Sequence, residues 1–365
     1  MENENAKVKK TPKGLIIGII AAVLVVAVVA VVIIFSLSSG DVGKVSNQTI
    51  TKQEYLVLSK FNMNTFLSGA GIKSDEEAAK YDWNQKYQDS TAKEQVKKAT
   101  LNSIQEIKIQ LIKAKEAGIK LDKTDLDNID KAIQQRITDA GGSRSDAEKK
   151  IKSDYGVTLD QYKEVYQELV LSQKYIESER NKIKVTDDEI KKQFDDNKAD
   201  YDKVTVTHIL IATKDLATGA ELSEGKKAEA KKKAEDLLKQ IQEGADMQAL
   251  AEKNSDDKDQ SGAVNNKGVY TFGKGEMVPE FENWAFASHK PGDTGIFQTT
   301  YGYHVIRFEK REEAKFDSVK DTIKSTILTK KFNDAFTKKL DDWKKQYPLN
   351  KNEEALAKID KTLYK

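Results

Sequence analysis

Between Phe272 and Phe308 a chain otherwise crowded with Lys, Asp, Glu and Gln changes character. It reads Phe272-Gly273-Lys274-Gly275-Glu276-Met277-Val278-Pro279-Glu280-Phe281, passes through Trp284, Ala285 and Phe286, and closes with Thr299-Thr300-Tyr301-Gly302-Tyr303-His304-Val305-Ile306. Pockets are lined mainly by apolar and aromatic side chains with few polar groups. In a protein that is 33% charged, with a mean hydropathy of −0.65, this stretch is where such a pocket can form. Any fold for the chain must gather it around a hollow.

The rest of the composition mostly excludes. A length of 365 residues allows two or three domains. The 61 basic and 59 acidic residues nearly cancel, so the basic stripe of a nucleic-acid binder is absent and no nucleic-acid partner is expected. Without cysteine there is no disulfide scaffold, thiolate metal site, cysteine nucleophile or lipid-bearing lipoprotein cysteine. Three histidines, His208, His289 and His304, make a His-rich metal site improbable, and neither metal nor cofactor is expected.

Residues Leu15 to Phe35 carry no charge and contain one glycine, Gly18. At about 1.5 Å per residue such a helix spans the roughly 30 Å hydrocarbon layer. Lys7, Lys9, Lys10 and Lys13 precede it and Asp41 is the first charge after it. The positive-inside rule then leaves residues 1–14 in the cytoplasm, makes 15–37 a single-pass anchor and sends the body outside the cell. A signal peptide is the rival, although its apolar core is usually shorter. A cut within Ser36-Leu37-Ser38-Ser39-Gly40 would release the body as a secreted protein.

From Val42 to Thr51 the pattern predicts a short β-hairpin around Ser46-Asn47-Gln48. Thr51 with Glu54 then makes a capping box. Helical spacing follows to about Tyr201. One stripe is Leu101, Ile104, Ile107, Leu111 and Ala114, stopped near Gly118; a second is Leu126, Ile129, Ile133 and Ile137, ending at Gly141-Gly142. A third runs from Leu159 to Ile176, and Thr186 with Glu189 caps a fourth. These stripes read as helix-to-helix core, and they hold no catalytic constellation.

At Lys203–Ile211 the period changes to two, the mark of a strand. A helix from about Glu224 to Glu243, a short one over Met247–Lys253, a polar loop from Ser255 to Gly268, a strand at Val269–Phe272, a helix from Pro279 and a strand over Tyr303–Glu309 complete an α/β unit. Beyond Arg311, Phe316, Val319, Ile323, Ile327, Phe332, Phe336 and Leu340 return to helical spacing as far as Tyr347-Pro348. That helix lacks strand companions and should dock on the earlier helices. The tail to Lys365 reads as a further short helix or a frayed end.

His208 and His304 each fall mid-strand, and His304, Ile306 and Phe308 share a face. Two neutral imidazoles can bond nitrogen to nitrogen, each fixing the other's tautomer. Asp257 could complete a polar network, with Met277, Phe281 and Phe272 as an apolar cup. No serine sits in a nucleophile elbow, so the residues suit a reaction without covalent catalysis. His289, beside Lys290-Pro291-Gly292, reads as an exposed turn residue.

With these residues in view, the segment from about Asp202 to Arg311 resembles the parvulin peptidyl-prolyl cis–trans isomerases. The likeness is carried by His208-Ile209-Leu210, Ser255-Asp256-Asp257, the Phe272–Glu282 run, Ala285-Phe286 and Tyr301–Ile306. The flanks are similar to foldases of the SurA/PrsA type, at Val45–Thr51, Gly118–Leu121, Tyr155–Thr158 and Lys184–Ile190. The resemblance implies catalytic roles for His208, Asp257 and His304. It also implies a proline grip by Met277 and Phe281, with Phe272 and Val269 beside them and Thr299 at the rim. Where many parvulins read Gly-Gly-Asp-Leu-Gly, this chain has Asn265-Asn266-Lys267-Gly268-Val269-Tyr270. The basic loop of phosphate-directed parvulins is missing, since Ile209–Thr213 is uncharged and only Lys214 follows.

The expected fold class is α+β. It comprises the transmembrane helix, a mostly helical chaperone-like domain over 41–201 completed by residues 312–365, and an inserted α/β isomerase domain over 202–311 with a small antiparallel sheet. The expected function is that of an extracytoplasmic, membrane-anchored isomerase and foldase acting on unfolded, proline-containing secreted polypeptides. Its oligomeric state, a dimer included, is left open. The alternatives are a holdase chaperone with a degenerate isomerase domain and a helical surface adaptor.

Overall fold

The computed structural model describes residues 40–72 and 74–364. The expected tail over 1–14 and anchor over 15–37 lie outside the described residues. Among those described, no helix is long and apolar enough to cross a membrane.

Strands β1 (Gly43–Val45) and β2 (Gln48–Ile50) form the expected hairpin, with Ser46 at φ 54° in its turn. Helix α1 (Lys52–Gly69) starts at the Thr51/Glu54 capping box. A short helix α2 (Asp75–Ala79) and a two-residue hairpin, β3 (Lys86–Tyr87) with β4 (Ser90–Thr91), interrupt a stretch whose periodicity predicts only helix. Then come α3 (Ala92–Glu116), α4 (Lys123–Asp139), α5 (Arg144–Tyr155), α6 (Leu159–Arg180) and α7 (Asp187–Asp196). Stop and cap chemistry set most of these limits. Gly118 adopts φ +68° just past α3, and Thr158 and Thr186 close capping boxes on α6 and α7.

The α/β part continues with β5 (Lys203–Ala212), α8 (Glu224–Gln242), α9 (Met247–Asn254), β6 (Val269–Phe272), α10 (Pro279–Ala285), β7 (Thr294–Gln298) and β8 (Gly302–Glu312). A long helix α11 (Phe316–Gln346), a strand β9 (Leu349–Lys351) and a helix α12 (Glu353–Leu363) end the chain. The tail is therefore no frayed end: α12 buries Leu356 and Ile359, and β9 pairs with β1.

Two compact units result. One holds the described residues up to Ile183 together with Phe332 onward; the other is Lys184–Lys331. The long α11 thus contributes to both, and α7 packs Ile190 and Phe194 against Ile323, so the helical run expected to end near Tyr201 is divided between the units.

In the first unit β1, β2, α1, α3 and α12 share a core through Val45, Ile50, Tyr55, Ile104, Ile109 and Leu356, while α4, α5 and α6 form another around Ile129, Ile133, Ile151 and Tyr162. The buried charges Lys108, Glu54 and Asp360 are paired, as burial requires. Lys108 of α3 lies between Glu54 of α1 and Glu168 of α6. Asp360 of α12 accepts from the Tyr55 hydroxyl at 2.8 Å and sits 2.9 Å from the Lys97 ammonium.

In the second unit four antiparallel strands are ordered β6-β5-β8-β7. Ile209, Ile211 and Val305 face Ala234, Leu237 and Ile241 of α8 and Met247 and Ala251 of α9. Val204, Val206, Ile306 and Phe308 face Phe281 and Ala285 of α10. Both faces are covered, which accounts for the almost unbroken burial of β5. The register sets Leu210 opposite His304 and His208 opposite Ile306. The two histidines are therefore diagonal neighbours on the α10 side, within reach of one another.

Candidate functional site

Period-two alternation carries His208 to the same face as Val206 and Leu210, and His304 to that of Ile306 and Phe308. There the rings lie 5.5 Å apart between centroids and nearly parallel at 25°, with a long 3.4 Å contact between their Nδ1 atoms. Both are buried, at 5% exposure each. Aromatic side chains enclose them. Phe281 meets His208 and His304 edge-on at 5.2 and 5.4 Å, Phe297 of β7 stacks on His304 at 5.3 Å, and Tyr270 of β6 meets His208 at 4.9 Å.

A polar line runs through the pair. The backbone N–H of Tyr301 donates to Thr299 Oγ1 at 3.1 Å, and that oxygen lies 2.9 Å from His304 Nε2. On the other side His208 Nε2 lies 3.2 Å from Asp257 Oδ2. A carboxylate can only accept, so His208 Nε2 carries a proton. With both rings neutral, His304 Nδ1–H then donates to His208 Nδ1, and Thr299 O–H donates to His304 Nε2. Every group in the line is satisfied with one direction of donation.

Asp257 is held from behind. Its loop is fastened to β5 by Asp256 N–H donating to the Leu210 carbonyl at 2.8 Å and Leu210 N–H donating to Ser255 Oγ at 3.1 Å. Asn265 Nδ2 donates to Asp257 Oδ1 and the Tyr270 hydroxyl to Oδ2, both at 2.7 Å. Burial alone would raise the carboxyl's pKa; the bonds from His208, Asn265 and Tyr270 outweigh it and hold the group below the usual carboxylate range, so it stays charged. Burial and that same carboxylate push the Tyr270 hydroxyl up. Burial, with His208 beside it, pushes His304 down to about 3, so its imidazole is neutral at physiological pH.

The cavity at this line has a volume of about 380 Å³, and His208, His304, Asp257, Met277 and Phe281 all border it. Three other sequence-predicted residues do not. Phe272 is fully buried behind Phe281, with ring centroids 5.6 Å apart. Val269 alternates with Tyr270, so its side chain belongs to the other face of β6. Thr299, expected at the rim, is buried and orients His304 instead. His289 is no exposed turn residue either: it stacks on Trp284 at 4.1 Å and its Nε2 lies 2.9 Å from the Trp284 carbonyl.

Sequence reasoning passed over Asn265, Tyr270, Phe297 and Tyr301. The departing segment Asn265–Tyr270 supplies both side-chain donors to Asp257 other than His208, with Asn266 and Lys267 in the left-handed region at φ 47° and 54°. Two-residue alternation back from Phe272 would have found Tyr270. Among the described residues no group of acidic, histidine or cysteine side chains could hold a metal ion.

A four-stranded antiparallel sheet with paired imidazoles, an adjacent carboxylate and a thioether–benzyl cup defines a parvulin-type peptidyl-prolyl isomerase. Accordingly, residues 208–310 match the family described as Rotamase, PPIC-type PPIASE domain. A curated foldase protein PrsA from Caldanaerobacter subterraneus subsp. tengcongensis is 30% identical over 86% of this chain and 88% of its own length. Another, from Clostridium acetobutylicum, is 29% identical over 85% and 87%. The chain belongs to the PrsA foldase family. Among solved structures, that of the foldase PrsA from Streptococcus pneumoniae covers 70% of this chain and 89% of its own at 23% identity, with a TM-score of 0.39. The protein is thus a peptidyl-prolyl isomerase of the foldase class, and its substrates are unfolded polypeptides in general.

Proposed function

We propose that isomerisation takes place in the cup bordered by Met277 and Phe281, with Asp257 as the electrostatic element and His208 and His304 as the scaffold that holds it. The observation that carries this reading is the unbroken line Thr299–His304–His208–Asp257 ending at the cavity. The barrier to X–Pro rotation arises from a resonance form with negative charge on the carbonyl oxygen and a stiff C–N bond, about 18–20 kcal/mol in peptides. A charged carboxylate near that oxygen, in a cavity poor in water, disfavours this form relative to the twisted amide. Met277 and Phe281 supply an apolar seat whose shape favours the twisted ring. A neutral His304 makes no proton available, and none is needed.

The site serves a foldase working outside the cell. Residues 15–37 anchor it with 1–14 on the cytoplasmic side, in keeping with Lys7, Lys9, Lys10 and Lys13 before the apolar run. The helical unit, residues 41–183 with those from Phe332 onward, cradles secreted, proline-containing clients, and the isomerase within Lys184–Lys331 acts on their prolines. The test is a protease-coupled proline-peptide assay on the chain from Asp41 onward. Turnover should fall about 10- to 100-fold in Asp257→Ala and Met277→Ala. Equal turnover in both variants refutes the site. Absent turnover with suppressed client aggregation favours a holdase.

A further inference from the structure

We propose that Trp284 is a positioning residue for the isomerisation, fixing the plane of His304 through Phe297 and the place of Phe281 through α10. The proposal rests on the reading that the imidazole line holds Asp257 for the reaction. Neither Trp284 nor Phe297 borders the cavity, so each acts through a neighbour.

The rings of His289, Trp284, Phe297, His304 and His208 lie one on the next in a single pile. Their centroids follow at 4.1, 6.3, 5.3 and 5.5 Å, with successive planes within 26° of parallel. Aromatic pairs adopt edge-to-face packing as readily as stacking, so an unbroken parallel run calls for a cause in the backbone. The sheet register supplies it. Phe297 stands directly opposite His304, and Gly295 stands opposite Ile306 on the same face of β7. Gly295 leaves that place empty and the indole of Trp284 occupies it, since a Cβ there would lie 2.4 Å from Nε1 and 2.8 Å from Cε2. His289 closes the outer end. Its Nε2 lies 2.9 Å from the Trp284 carbonyl and carries the proton, because a carbonyl only accepts.

Two consequences reach the site. Strand β8 runs between β5 and β7, so His208 and Phe297 flank His304 on opposite sides. The Thr299 hydroxyl fixes where His304 Nε2 points but leaves the ring free to rock about that bond. A parallel Phe297, backed by the indole, removes that freedom. Trp284 also follows Phe281 by three residues, on the same side of α10. The seat of the indole on Gly295 therefore sets the rotation of α10, and with it where Phe281 meets both imidazoles. A misplacement of about 1 Å at a reacting site can cost on the order of 100-fold in rate.

The experiment measures kcat/KM of the full chain by exchange NMR on an Ala-Pro peptide. In parallel, the imidazole ring signals are recorded with labelled histidine, of which the chain has three. Trp284→Leu should lower kcat/KM about 10-fold per folded molecule and shift the His304 signals. Trp284→Phe, which keeps a flat ring over Gly295, should recover turnover to within about threefold of wild type. Gly295→Ala lifts an intact indole off the sheet and should behave like Trp284→Leu; it decides the matter if Trp284→Leu does not fold. Mere packing predicts lower stability with kcat/KM and the His304 signals of the folded protein unchanged, and that result overturns the proposal. A fall in kcat/KM with the His304 signals in place overturns it too, as does Trp284→Phe no more active than Trp284→Leu. Failure of the underlying reading looks different: Asp257→Ala would then leave turnover of the Ala-Pro peptide untouched.

Discussion

At the scale of single residues the site is a problem of protonation solved by burial. His304 has its pKa lowered from 6.5 to about 3 by burial and by His208. A folded-state pKa below the unfolded value means that the unfolded chain takes up the proton first. The stabilisation is therefore complete above pH 6.5 and is lost as pH falls toward 3. Asp257, also depressed, acts in the same direction below the ordinary carboxylate range. Unfolding by urea should show the wild type losing on the order of 1–2 kcal/mol between about pH 7.5 and 5 that His304→Gln does not lose. An equal loss in the variant would assign the acid sensitivity elsewhere. Both imidazoles, Asp257, Met277 and Phe281 were legible in the sequence because a motif and a strand period marked them. Tyr270 was passed over although alternation back from Phe272 marks its face, and Asn265 was not legible, because the carboxylate it bonds becomes its neighbour only in the fold.

Among elements, the legible ones announced themselves by caps and long periodic stripes: α1 by Thr51 and Glu54, α7 by Thr186 and Glu189, β5 by its alternation. The illegible ones are short and owe their existence to partners far away. Strand β7 has five residues, one of them Gly295, where a Cβ would come within 2.4 Å of the Trp284 indole. Three-residue β9 forms only because β1 is there to pair with it. With β9 in place α12 becomes core, and Leu356→Ala should cost about 2–5 kcal/mol in chemical denaturation. A cost below about 0.5 kcal/mol, the scale of a surface change, would contradict that packing. Lys108→Met should cost a comparable amount, about 3–5 kcal/mol, because it leaves Glu54 buried without its cation.

For the whole molecule, sequence order and compact units do not coincide. The first unit takes the described residues up to Ile183 and those from Phe332 onward, while the isomerase lies within Lys184–Lys331. A boundary drawn where the period changes, near Tyr201, misses α7, because a helix that packs on its own unit looks no different in sequence from one that packs on another. The fragment 184–331 has cores of its own and should turn over short proline peptides within about threefold of the full chain. It should also lose the ability to keep an unfolded client from aggregating, as light scattering would show. The central claim, that the proline sits on Met277, has a direct reporter. The chain has four methionines, and Met63 and Met247 are buried in other cores. In a protein labelled with ¹³C at the methionine methyls, an Ala-Pro peptide undergoing catalysed exchange should shift the Met277 signal and leave those of Met63 and Met247 in place. Catalysed exchange with the Met277 signal unmoved would contradict the account.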